Sequence, residues 1–415
     1  MNPINRETKD LKEYFFPLKN LYPKAYDKTT TDPYTKTRVI LMNGTEFESV
    51  WFMHQFARHC DKPEILEKLA IVRAQEQQQQ KRISCLKPID ESILETTIAY
   101  EQLAVDLTAS LAINETDKTN REALNFALLE DFDHLYRFSN LLLMDKKIEA
   151  ETLVGGYTEI MPGRPTIAEH RCPVQNLKPH MTAKKAKLYS KLVACTITAA
   201  EQQTMNYYMN IAQWYKNDLG RKLYSEIALV EEEHVTQYES LKDPNMTWLE
   251  QWVMHEYAEC YLYYSAYEDE VHPEIKAMWL EHFEMECAHL KTAIELLEKY
   301  EKKSYQDVID DGEFPELLRI GSHKEYVREV LERTVTLTSK NKDYKEVDCL
   351  KDDDVFFKFQ ENFIGDDVEC VPSHMVIEKA ISTFGEDYRF QESGHPVAQL
   401  KSRKCDNTTI GRCKE

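Results

Sequence analysis

The chain has 415 residues, of which 42% are hydrophobic, and a formal net charge of −20 at pH 7. An acidic surface of this kind argues against nucleic acid and anionic membranes as partners. The first residues, MNPINRETKDLKEYF, lack an apolar signal core, and no run of 18 apolar residues occurs anywhere. We therefore expect a cytoplasmic protein without a membrane segment.

The first part of the chain is predicted to be an irregular arm followed by four helices. Residues 1–40 are polar and aromatic and include Pro17, Pro23 and Pro33. Helices are predicted at 46–60, 63–83, 91–113 and 120–145, and Pro63 opens the second of them. This organisation predicts an N-terminal arm at 1–40 and a first helical half at 41–145.

The next segment, 146–183, is rich in Gly and Pro and too long for a simple turn. We predict a long crossover loop here. Its basic residues either reach an acidic or phosphate-bearing ligand or pair with the acidic body of the protein. These residues are Arg164, His170, Arg171 and His180.

A second helical half is predicted at 184–303, because this stretch again combines a helical apolar rhythm with short polar turns. The remainder, 304–415, changes in character. It suggests one helix within 315–338 and then an extended, partly ordered C-terminal tail.

One motif stands out in the second half, at Glu231-x-x-His234. It lies in LYSEIALVEEEHVTQYESL, where Ile227, Glu231, His234, Tyr238 and Leu241 share one helix face. Burying a carboxylate in such an apolar stripe costs free energy unless the charge is paired or bound to a metal ion. The spacing places a carboxylate and an imidazole one turn apart, as a metal site in a helical bundle requires.

The same acid–histidine pair recurs along the chain. Asp131 and Glu286 each precede a histidine by three residues, and another acid stands thirty residues before each of the three pairs. Glu46 and Glu76 follow the same spacing, but Gln79 stands where a histidine is expected. The candidate metal ligands are Glu101, Asp131, His134, Glu201, Glu231, His234, Glu256, Glu286 and His289.

These motifs repeat after 155 residues. This shift aligns SCLKPIDESILE (84–95) with ESLKDPNMTWLE (239–250) without a gap, and it also pairs His134 with His289. We infer an internal duplication in which each half contributes two helical hairpins. The sequence therefore predicts an all-α body of about eight core helices.

The order Glu, Glu-x-x-His, Glu, Glu-x-x-His is the ligand set of a di-iron or di-manganese carboxylate site in a helical bundle. In these motifs the chain resembles the ferritin-like superfamily, rubrerythrin-type members in particular, over roughly residues 40–300. The resemblance implies a ferritin-like bundle, iron or manganese bound by these acids and histidines, and redox chemistry with dioxygen or peroxide. The ten cysteines contain no C-x-x-C, so the rubredoxin-type iron centre of rubrerythrins is missing.

The sequence leaves open which hairpins share a site. Helices 184–300 contain a full ligand set by themselves, but short turns join them. In ferritin-like sites the hairpins are related by an axis across the bundle, and the crossover at 146–183 allows this for hairpin 91–145 with hairpin 184–242. Hairpin 91–145 with 246–300 is a third arrangement. In the second arrangement, 46–83 and 246–300 form a poorer site. Tyrosines on the same helices are candidate partners for the ligand histidines. They are Tyr100, Tyr207, Tyr208, Tyr257 and Tyr261.

These patterns predict a non-haem di-metal oxidoreductase that activates dioxygen or peroxide, with a small organic substrate if the site is open. The competing hypothesis is a helical scaffold or binding protein with a vestigial or metal-storage site. The sequence leaves the substrate, the electron donor and the oligomeric state open, a homo-oligomer included.

Overall fold

A computed structural model describes residues 1–365 and 367–412. Within these residues the chain forms thirteen α-helices and one two-stranded sheet, so the fold is predominantly α-helical, as the sequence predicts. None of the helices described is both long enough and apolar enough to cross a bilayer.

The first four helices form two hairpins: α1 (Pro33–Arg58), α2 (Pro63–Ser84), α3 (Ile93–Asn114) and α4 (Lys118–Lys146). Helix α1 begins well before the predicted 46–60. Its start is fixed by Pro33 at the first helical position and by Asp32, whose side chain accepts a hydrogen bond from the backbone N–H of Tyr34. The other three helices begin and end within three residues of the predicted positions.

The segment after α4 contains one short helix, α5 (Thr166–Glu169), and packs tightly on α4. A Cβ atom at Gly163 would lie 2.4 Å from the carbonyl oxygen of Leu129, so only glycine permits this approach. The backbone is held there by N–H groups of Gly163 and Thr166, which donate to the carboxylate of Asp133 at 3.2 and 2.9 Å. The contact places the following residues against α4.

The second set of long helices is α6 (Leu188–Trp214), α7 (Asp218–Glu239), α8 (Trp248–Asp269) and α9 (Pro273–Glu301). Their lengths of 27, 22, 22 and 29 residues nearly repeat the 26, 22, 22 and 29 residues of α1 to α4. Ser92 and Thr247 both open capping boxes, and Lys147 and Lys302 both end helices in the left-handed conformation. Both pairs are 155 positions apart.

The C-terminal part contains α10 (Gln306–Ile309), α11 (Lys324–Thr334), strands β1 (Leu337–Lys340) and β2 (Asp343–Glu346), α12 (Val355–Ile364) and α13 (Pro372–Phe384). The strands form an antiparallel hairpin. Helix α11 is shorter than the predicted 315–338. Helices α11 and α13 pack on α4. The C-terminal region is therefore packed on the helical body and is not the predicted extended tail.

The chain divides into two compact units. The first unit comprises Met1–Glu91, His180–Gln203 and Lys242–Arg319. Within it, α1 packs on α2 and α8, and α9 packs on α2 and α8. A hairpin from the first half of the chain is thus paired with a hairpin from the second half.

The second unit comprises Ser92–Pro179, Thr204–Leu241 and the residues from Ile320 onward. Here α4 packs on α3, α5 and α7, and α13 covers α4 and α7. The core is built from leucine, valine, isoleucine and aromatic side chains of these helices, which are almost wholly removed from water.

Candidate metal centres

Five predicted ligands meet inside the second unit. Helix α3 contributes Glu101, α4 contributes Asp131 and His134, and α7 contributes Glu231 and His234, all 0% exposed. Donor atoms of Glu101, His134 and Glu231 lie within 4.8 Å of one another, as do those of Asp131, Glu231 and His234. The two groups share Glu231, so its carboxylate stands between two potential metal positions. We call these five residues the two-histidine cluster.

Both imidazoles of the two-histidine cluster face the shared carboxylate with Nδ1. The Nδ1 atoms of His134 and His234 lie 3.1 and 3.2 Å from the two oxygens of Glu231. Each Nε2 meets a second acid on the other side of the ring: Glu169 at 3.0 Å for His134 and Glu130 at 2.8 Å for His234. An acid behind the ring fixes its orientation and raises its basicity as a metal ligand.

Glu130 is itself held by two buried guanidinium groups from segment 146–183, the predicted crossover. Arg164 donates to Oε1 at 2.9 Å, and Arg171 donates to Oε1 and Oε2 at 2.8 and 3.1 Å. Burial acts to raise the pKa of the Glu130 carboxyl, but Arg171, His234 and Arg164 outweigh it and lower that pKa. Glu130 therefore stays ionised behind the His234 ring.

The sequence left two alternatives for the basic residues of 146–183: contact with a bound ligand, or pairing with acids of the body. Both arginines follow the second alternative, because both pair with Glu130. His170 does the same, with Nε2 3.2 Å from Oε1 of Glu226. His180 is exposed, and its ring contacts the carbonyl oxygen of Met181 at 2.8 Å.

The pKa values of the acids of the two-histidine cluster are shifted in opposite directions. Burial raises the pKa of Glu101 well above its usual value and raises that of Asp131. Burial also acts on Glu231, but hydrogen bonds from His134 and His234 outweigh it and lower the Glu231 pKa to about 2. Oε2 of Glu101 and Oδ2 of Asp131 accept no hydrogen bond, and Oδ1 of Asp131 lies 3.2 Å from Nδ1 of His234. Buried carboxylate oxygens without a donor are costly unless a cation binds them.

The tyrosines predicted to support the ligand histidines do not take that role, because Nε2 of each ring contacts another residue: Glu169 for His134, Glu130 for His234 and Gln75 for His289. Tyr208 instead donates a hydrogen bond to Oε1 of Glu101. The hydroxyls of Tyr257 and Tyr261 donate to backbone carbonyls of Glu313 and Glu316.

A second cluster lies within the first unit. Donor atoms of Glu76 on α2, Glu256 on α8, and Glu286 and His289 on α9 fall within 4.8 Å of one another. Nδ1 of His289 lies 3.0 Å from both Glu76 and Glu286, and its Nε2 lies 3.0 Å from Oε1 of Gln75. This ring is thus oriented by a neutral amide instead of an acid.

Two more acids, Glu46 and Glu259, complete this second cluster. Glu46, Glu76 and Glu259 form a further group of donor atoms within 4.8 Å. Gln79, at the position of the missing histidine, donates its amide to Oε1 of Glu286. We call Glu46, Glu76, Glu256, Glu259, Glu286 and His289 the one-histidine cluster.

Two of the three residues that contact Nε2 of a ligand histidine occupy the same position relative to a ligand acid. Glu130 and Gln75 each directly precede a ligand acid on their helix, and each contacts the histidine of the facing hairpin. On α7 this position is Val230, whose side chain cannot accept a hydrogen bond. Nε2 of His134 instead contacts Glu169 from the crossover. The sequence carries a signal for Glu130 and Gln75, since both lie beside a predicted ligand, but none for Glu169.

The remaining predicted ligand, Glu201, is buried on α6 in the segment His180–Gln203 of the first unit. Of the three pairings left open by the sequence, the clusters match the second, in which α3 and α4 share ligands with α7. Glu231 and His234 belong to one unit and Glu286 and His289 to the other, so helices 184–300 do not gather the set they contain.

Comparisons with known proteins add no assignment. No protein-family model matches the chain, and searches of curated proteins and of solved structures return no match.

Proposed function

We propose that the two-histidine cluster binds two iron or manganese ions and that the protein is a non-haem di-metal oxidoreductase of the ferritin-like type. The observation that carries this proposal is the shared carboxylate of Glu231, which faces Nδ1 of both His134 and His234. Carboxylate and imidazole donors of this kind suit iron and manganese. The scaffold alternative offers no reason for two oriented rings around one buried acid.

The donor set suits two divalent ions because it offers negative charge and carboxylate oxygens that accept no hydrogen bond. Glu101, Asp131 and Glu231 supply carboxylate oxygens at 0% exposure, several of which accept no hydrogen bond. The nearby guanidinium groups are committed to Glu130 behind the ring of His234. Cations at the cluster would offset charges that are otherwise costly to bury.

Burial of the ligands favours a small oxidant. Each of the five side chains is 0% exposed, so dioxygen or peroxide fits the site more readily than a bulky organic substrate. Two such ions, held by these five side chains, would supply the redox chemistry with dioxygen or peroxide. The chain's own contribution is to fix the rings through Glu130 and Glu169, to anchor Glu101 through Tyr208, and to exclude water.

The proposed ferritin-like ancestry rests on internal repetition. Helix lengths, capping boxes and left-handed helix ends all recur with the period of 155 residues found in the ligand motifs. We infer that the chain arose by duplication of a unit of four helices. Each cluster then draws one hairpin from each copy.

Metal analysis tests the proposal. The protein is expressed with iron and manganese, and its metal content is measured by mass spectrometry for wild type, for His134→Ala/His234→Ala and for the control His170→Ala. His170 is a buried histidine of the same unit outside the cluster. We expect the double variant to lose two ions per chain and the rate of dioxygen or peroxide consumption, and the control to keep both. Equal metal content in wild type and double variant, with all proteins folded, would favour the scaffold alternative.

A further inference from the structure

The one-histidine cluster differs in kind from the two-histidine cluster. It brings together five carboxylates and a single imidazole, all 0% exposed. Its acids fall into two groups that share Glu76: one includes His289, and the other, Glu46 with Glu76 and Glu259, is made of oxygen donors alone. Nothing in the proposed function uses this all-oxygen group.

Several carboxylate oxygens of this cluster have no hydrogen-bond donor. Oε2 of Glu46, Oε2 of Glu76, Oε2 of Glu256 and Oε1 of Glu259 accept no hydrogen bond. Among the described residues, no lysine or arginine forms an ion pair with any of the five acids. Since a buried carboxylate needs a counter-charge, these oxygens indicate a cation that the polypeptide does not supply.

The all-oxygen group is positioned by its own contacts. Tyr263 donates to Oε1 of Glu46, which leaves Oε2 directed to the cluster. Oγ of Ser49 lies 3.5 Å from Oε2 of Glu259, and Oε1 of Glu259 accepts no hydrogen bond. In the 155-residue repeat, the position of Glu259 is held by Ala104 in the other copy. Glu259 is therefore a carboxylate that the two-histidine cluster does not have.

The donor chemistry identifies the class of cation. At the position of the second histidine, Gln79 uses its amide to donate to Glu286 and presents no imidazole. Imidazole nitrogen favours the later transition metals, whereas carboxylate oxygens favour Mg²⁺, Ca²⁺ and Mn²⁺. Replacement of a nitrogen donor and addition of a carboxylate both shift the cluster toward a hard cation.

We propose that the first unit contains a second metal site, in which Glu46, Glu76 and Glu259 bind a hard divalent cation, Mn²⁺, beside the position at Glu256, Glu286 and His289. This site is separate from the proposed di-metal centre of the second unit and does not depend on it. Its cation balances buried charge and fixes α1, α2 and α8 against one another.

Manganese titration tests the site in a variant that lacks both histidines of the two-histidine cluster. The full-length His134→Ala/His234→Ala variant is titrated with Mn²⁺, and free Mn²⁺ is followed by its electron paramagnetic resonance signal. We expect at least one bound ion per chain. Adding Glu259→Gln should weaken Mn²⁺ binding by more than the roughly 10–100-fold known for residues behind metal ligands. Adding Glu48→Gln, an acid of α1 that pairs with His255 outside the cluster, should leave binding unchanged.

Two results would overturn the proposal. They are a folded parent variant that binds no Mn²⁺, and equal Mn²⁺ affinity with Glu259 and with Gln at that position. If Glu259→Gln does not give a helical circular dichroism spectrum, Glu46→Gln removes a carboxylate of the same group. Failure of the di-metal proposal is seen separately, as no difference in metal content between wild type and the parent variant.

Discussion

Removal of the Glu130 carboxylate should strongly destabilise the second unit. Glu130 is 0% exposed and accepts from two guanidinium groups and the ring of His234, with four contacts of 2.8–3.1 Å. Glu130→Ala leaves Arg164 and Arg171 buried without that acid. Removal of one partner from a buried ion pair costs about 3–5 kcal/mol. For a unit of this size we expect the melting temperature to fall by about 6–20 °C.

The assay is differential scanning calorimetry of wild type and variant in the presence of a chelator, so that metal loss contributes equally. Glu233→Ala is the matched control, because Glu233 also contacts Arg171, at 3.1 Å, yet lies nearer the surface. In that variant Arg171 still pairs with Glu130, so the melting temperature should fall much less. A Glu130→Ala melting temperature equal to that of the control would refute the reasoning.

Three further predictions follow from single contacts. Glu169→Gln replaces the acid behind the His134 ring with an uncharged amide, and we expect metal affinity to fall about 10–100-fold by calorimetric titration. Gly163→Ala forces a Cβ against the carbonyl of Leu129 and should cost about 1–3 kcal/mol, measured by urea unfolding. Glu270→Gln removes the buried negative charge that pairs with Arg38, 2.9 Å away, and should cost about 1–3 kcal/mol near pH 7. Burial acts to raise the Glu270 pKa, but Arg38 and Thr35 outweigh it and lower it, so this cost should shrink as pH falls below 4.5.

Each of these has a contradicting outcome. Unchanged metal affinity in Glu169→Gln would mean that the crossover does not support the His134 ring. A Gly163→Ala variant as stable as wild type would show that the crossover shifts freely on α4. A stability difference for Glu270→Gln that is constant from pH 7 to pH 3 would rule out an ionised Glu270 as its source.

The helices and the cluster residues on them could be predicted because both depend on local spacing. The step of three between Glu231 and His234 places both side chains on one face whatever the rest of the chain does. The predicted positions of α2, α3 and α4 are accurate for the same reason. The start of α1 was missed because it depends on a cap at Asp32 and not on an apolar stripe.

The partners of the histidines could not be predicted in full, since they depend on long-range packing. Glu169 meets His134 from an irregular segment whose path is set by the close approach of Gly163 to α4. The pairing of hairpins was also ambiguous, because duplicated helices with the same motif satisfy several arrangements equally. Only three-dimensional packing separates Glu231 and His234 from Glu286 and His289.

The most direct measurement is anomalous X-ray diffraction from crystals of the wild-type protein grown with Mn²⁺, collected above and below the manganese absorption edge. We predict anomalous peaks beside the Glu231 carboxylate, next to Nδ1 of His134 and of His234. Well-ordered side chains at these positions with no anomalous peak among them would contradict the central claim that this buried cluster is a metal centre.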